Sequence, residues 1–193
     1  RSGTLTIAPG SRETLKNYLA IRMNGTVLCP QSLSTHLAML KLNGALSYYP
    51  DEAVLLKDTT LLDRTFHLRA RQDACYFASR QVVALDPGID FAAMAQKNVR
   101  FSTKELLVAE GLVQAAVPLF DERAEVTILP DGCAFLPKDA VLDESLLRRQ
   151  GTRLYVRGAL TVPREAEDLL SQITFPRVRG DVRLPQPLLP LLD

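Results

Sequence analysis

A glycine-centred unit recurs along this 193-residue chain, and that recurrence limits the fold more than any other feature. In LYVRGALTVPREAEDLLSQI, Leu154, Val156, Leu160 and Val162 alternate, with Gly158 at the same parity. Alternation of this kind lines one face of a strand. Pro163 ends it, and Ala166, Leu169, Leu170 and Ile173 continue at helical spacing. The same order recurs in IRMNGTVLCPQSLSTHLAML from Ile21 and in RVRGDVRLPQPLLPLL from Arg177. Gly3 and Gly25 are 22 residues apart, Gly25 and Gly44 19, and Gly158 and Gly180 22. Those lengths are typical of stacked strand-and-helix repeats.

One such unit carries too little apolar surface to fold alone. Stacking pairs the strands in parallel, because each strand is followed by a return segment of a dozen or so residues. The apolar partners of each Gly (Leu5 and Ile7, Val27 and Cys29, Leu46 and Tyr48) are expected to point into one core. Pro after the strand is tolerated in the first turn of a helix, where Leu33, Leu37 and Leu40 give one apolar face. Glycine at inward parity predicts a column where the strand bends or another backbone passes close. From Asp51 to Glu125 the pattern is irregular, with Gln81 and Lys104 expected at the Gly position and an insertion after Gly44. It resumes at LPDGCAFLP around Gly132. The apolar tail from Pro185 onward is expected to cap the last unit. No linker or low-complexity tract divides the chain, so residues 1–193 are read as one solenoid domain.

The layout resembles leucine-rich repeats over roughly two thirds of the chain. Ile21-x-Met23, Leu40-x-Leu42 and Leu154-x-Val156 look like the strand core of that family, and the Pro-led helix fits some of its subtypes. The resemblance implies an α/β repeat solenoid, with a parallel sheet on one side and helical or turn return segments on the other. Where the family places an Asn, this chain has Thr26, Ala45, Ala159 and Asp181, so the repeats are expected to be irregular, of bacterial type. A β-solenoid like those of bacterial filament scaffolds is the runner-up.

Composition excludes several function classes. A formal net charge of +1 gives no global pull toward nucleic acid or anionic lipid. No apolar run approaches the ~20 residues of a membrane span. Cys29, Cys75 and Cys133 form neither a disulfide framework nor a metal knuckle, and read as free thiols of a reducing, cytoplasmic setting. The chain opens at Arg1 almost inside a unit, a start that missing upstream residues are expected to explain and that a removed signal peptide would also fit.

No catalytic residue, metal ligand or cofactor is assigned. His36 and His67 lie in different units without a Cys or carboxylate at ligand spacing. Cys29 has core parity, whereas Cys133 has the opposite parity and is expected to be the more exposed. The acids at Asp51-Glu52, Asp143-Glu144 and Glu165-Glu167-Asp168 fit first helical turns, where they favour the helix dipole. The informative surface is the outward parity beside each Gly. It carries Arg22, Lys41, Tyr155 and Arg177 beside Asn24, Asn43, Arg157 and Arg179, expected as a double column on the outer sheet face, basic and mostly free of acid. That face suits an acidic protein partner. The expected function is a non-enzymatic interaction module or scaffold. The alternatives are a structural protein self-assembling through its terminal repeats and an enzyme acting on an extended polymer.

Overall fold

The computed structural model describes residues 3–17, 21–37 and 40–184. The expected cap from Pro185 onward lies outside them. The described chain is an α/β protein of four parallel sheets, and every strand pair within them is parallel.

The first segment holds β1 (Gly3–Thr6), α1 (Arg12–Lys16), β2 (Ile21–Pro30), a 3-10 helix (Gln31–His36) and β3 (Leu40–Tyr49). They form one sheet, β1-β2-β3, in which Gly3, Gly25 and Gly44 lie side by side. Gly25 has φ 126°, and a Cβ there would collide with the backbone of Gly3. The glycines are therefore required by both backbone conformation and strand spacing. Ile7, Val27 and Cys29 are buried with Leu15 and Leu33, as their parity predicts. Two expectations fail here. Leu40 opens β3 instead of completing a helical face, because the return helix stops at His36. Tyr48 is 42% exposed, because β3 ends its sheet and no later strand covers that position.

The second segment runs through β4 (Val54–Leu55), β5 (Thr59–Leu61), α2 (Phe66–Arg69), β6 (Cys75–Ala84), α3 (Phe91–Gln96), β7 (Arg100–Ala109), α4 (Val113–Ala116) and β8 (Glu125–Leu129). Its sheet order is β4-β6-β7-β8, with β5 also paired to β6. Its core stacks Phe66, Tyr76, Phe101 and Phe120, with ring centroids 4.8–5.8 Å apart. Gln81 pairs with Thr59 and Glu105, not with Lys104, because Ser79 and Arg80 bulge out of β6 and move the register by one residue.

The third segment comprises β9 (Ala134–Leu136), β10 (Ala140–Val141), α5 (Glu144–Gln150), β11 (Arg153–Val156), β12 (Leu160–Thr161), α6 (Glu167–Leu170), β13 (Phe175–Val178) and β14 (Val182–Arg183). They make two sheets, β9-β11-β13 and β10-β12-β14, over a core of Leu142, Leu154, Val156, Leu160 and Val162. A Cβ on Gly180 would lie 2.5 Å from the carbonyl oxygen of Gly158, so these two glycines also stack. Gly132 does not join the column. It sits with φ 76° in the turn before β9, and Lys138 and Asp139 lie beside Gly158 instead.

The segments meet at two corners of one design. After β3 and after β8 the chain omits a return helix and turns through Pro50-Asp51 or Pro130-Asp131. The Ala53 amide donates to the Pro50 carbonyl, and the Cys133 amide to that of Pro130. Each Asp then caps the short helix one unit earlier. Asp51 accepts from the Ser32 amide at 3.0 Å and from its hydroxyl, and Asp131 from the Gly111 amide at 3.0 Å. Such caps satisfy amides that a helix start leaves without partners.

Candidate functional site

The corners bring the sheets of neighbouring segments face to face. At the first junction, the outer parity of the first sheet presents Thr4, Thr26 and Ala45 in one row and Thr6, Leu28 and Ser47 in the next. These side chains are mostly small and hydroxylated. Only Leu28, Tyr49 and Phe77, with Ala53 and Leu55, close an apolar contact across it. A groove of about 790 Å³ remains along the rest of the junction. That size lies within the range of ligand sites.

The opposite wall is built by three neighbouring strands of the second segment. Lys57 and Asp58 occupy the turn between β4 and β5, Arg80 the bulge of β6, and Lys104 the same level of β7. The bulge is pinned because the Arg80 and Gln81 amides both donate to the Asp58 carbonyl at 3.0 Å. Arg80 reaches the Asp58 carboxylate at 3.7 Å. Among the described residues, neither Lys57 nor Lys104 forms an ion pair. The wall thus sets three cations against one carboxylate.

The second junction is filled. Val83, Leu107 and Leu129 of the second segment pack against Cys133, Phe135 and Tyr155 of the third. Phe135 and Tyr155 stack at 5.9 Å. Polar groups at its margin are paired across it: Arg157 donates to Thr59 Oγ1 at 3.0 Å, and Arg179 lies 3.0 Å from the buried Glu105. Burial, and then the neighbouring Arg80, lower the pKa of Arg157, while burial raises that of Tyr155. The amide nitrogen of Gln81 is buried here without a partner.

This arrangement redistributes the expected basic column. Arg22 and Lys41 are exposed register partners on β2 and β3. Tyr155 and Arg177 are register partners in a different sheet, the guanidinium lying 6.0 Å over the ring. Tyr155 is only 1% exposed, so it belongs to an internal junction, not to an outer face. Arg157 and Arg179 likewise reach across that junction to the second segment, because the third segment's sheet lies against it. Arg177 remains exposed. The residues of the double column are thus divided between separate sheets.

Lys57 and Arg80 were not singled out from sequence. Their only signal is adjacency to Thr59 and Gln81, which needs the register to interpret. Cys133 is 5% exposed despite its parity, because it faces the junction. Burial raises the pKa of all three free cysteines. His36 sits beside Thr35, and His67 lies in α2 with its Nδ1 buried. Among the described residues, no group of three or more His, Cys, Asp or Glu is placed to hold a metal ion, and no helix is long and apolar enough to cross a membrane. Compared with protein-family models, curated proteins and solved structures, the chain matches none.

Proposed function

We propose that the chain is a non-enzymatic interaction module, an irregular leucine-rich-repeat-like solenoid that holds an acidic protein partner. The observation that carries this reading is the placement of cations on accessible strand surfaces with few acids beside them. Lys57, Arg80 and Lys104 do so in the groove beside the first sheet, with Arg22 and Lys41, at the other end of that sheet's strands, as the alternative seat. The second junction packs Val83, Leu107 and Leu129 against Phe135 and Tyr155, which suits a scaffold that presents a preformed surface. Free, largely buried thiols fit a reducing compartment such as the cytoplasm.

The test is retention of a labelled oligoglutamate peptide by the full chain, compared with an oligolysine peptide of equal length. Selective binding of the acidic peptide, weakening with salt, is expected. Equal binding of both, or of neither, would dismiss the reading.

A second reading, self-assembly, draws on β8. That strand ends its sheet, with Val126 39% and Ile128 51% exposed, and bare apolar edges template pairing with another chain. A molecular mass constant with concentration rules it out.

A further inference from the structure

Resting on the acidic-partner reading, we infer that the partner is held in the groove between the first two sheets and not at the Arg22 and Lys41 end of the first sheet's strands, and that it enters as an extended acidic peptide segment. The groove crosses successive strands, and neighbouring strands lie ~4.8 Å apart. Lys57 with Asp58, Arg80 and Lys104 therefore sit on successive rungs, over roughly 10 Å of the stacking direction. Cations distributed in this way match carboxylates spaced along an extended chain. Their backbone positions are spread over three strands and are not gathered in one loop.

Arg80 lies 3.7 Å from the Asp58 carboxylate, so part of its charge is already answered. Among the described residues no aromatic side chain lines the groove, whereas single-stranded nucleic acid uses aromatic stacking platforms. Facing the cations, the hydroxyls of Thr4, Thr26 and Ser47 can donate to or accept from a peptide main chain, and Leu28 and Leu55 offer an apolar floor. Bound this way, the acidic side chains point to the lysines and the main chain lies on the hydroxyl rows.

The experiment measures anisotropy of a fluorescein-labelled decaglutamate on the full chain and three variants. Each variant's thermal unfolding is compared with that of the parent. Lys57→Glu with Lys104→Glu is expected to weaken binding at least tenfold, about what losing 1.4 kcal/mol does. Arg22→Glu with Lys41→Glu is expected to change it less than about twofold. Thr26→Phe fills the groove without altering charge and is expected to weaken binding like the lysine pair.

If Arg22 and Lys41 carry the binding while the lysine pair and Thr26→Phe leave it intact, the groove assignment falls although the acidic-partner reading survives. If the parent chain does not bind the peptide at all, both fall. Loss through the lysine pair with Thr26→Phe unaffected also overturns the groove, since charge would then act without occupancy. Should the lysine pair unfold the chain, Thr26→Phe alone decides.

Discussion

The two junctions are built from the same corner and end in opposite states. Between the second and third segments, Val83, Leu107 and Leu129 meet Phe135 and Tyr155 in a dry contact. Between the first and second, Thr4, Thr6, Thr26 and Ser47 occupy the matching strand face, and their small side chains leave a groove. The corner fixes where two sheets meet. The size of the outward side chains then decides whether the meeting place becomes core or cleft. Charge follows the same division, since Arg157 and Arg179 find partners across the closed junction while Lys57 and Lys104 have none among the described residues.

The largest effect should come from the closed junction. Tyr155→Ala removes a buried ring and is expected to cost about 3–5 kcal/mol in urea unfolding. Thr26→Ala at the open junction should stay within about 1 kcal/mol. Similar costs at both sites would erase the distinction.

Next in size is Arg179→Ala, which leaves Glu105 buried without its cation. Because Arg179 is itself 44% exposed, the expected loss is about 2 kcal/mol and not the full cost of a buried charge. Adding Glu105→Gln should return part of that loss. If the double variant is no more stable than Arg179→Ala alone, the pairing is not what holds this margin.

The smallest effect tests the corner shared by both junctions. The Ser32 hydroxyl, and then its amide, hold the Asp51 carboxyl below the usual aspartate range. A lowered folded pKa contributes stability that is present above the unfolded value, about 3.9, and disappears as pH falls through the folded one. Asp51→Asn should therefore lower Tm modestly at pH 7, with the gap to the parent closing below about pH 4. A gap that persists in acid would mean that Asp51 does not act through its charge.

Much of the strand arrangement was legible because its cause is local. Glycine at inward parity and proline after the strand mark Gly3, Gly25, Gly44, Gly158 and Gly180; the structure stacks the first three within one sheet and the last two at the bend between two sheets. The candidate site was less legible because it depends on how separate sheets meet. Parity identified Tyr155 and Arg157 as outward, correctly, but outward from one sheet is inward at a junction. The Ser79-Arg80 bulge was likewise hidden, since no glycine marks it and the change of inward parity in β7, from Phe101 to Leu106 and Val108, is masked by the apolar run 106–109. A signal for the corners did exist. Pro50, Asp51, Leu56, Leu62 and Asp63 recur 80 residues later as Pro130, Asp131, Leu136, Leu142 and Asp143. Periods near 22 residues draw attention away from one nearly four times longer.

That longer spacing also bears on how the molecule can change size. The stretch between Pro50 and Pro130 begins and ends on interchangeable chemistry, so it behaves like a cassette with matched ends. Duplicating or excising it would regenerate a proline-aspartate bend and a capped helix at the splice, with no new loop to invent. Both ends of the stretch thus carry the same bend and the same helix cap, while one opens on a cleft and the other on packing.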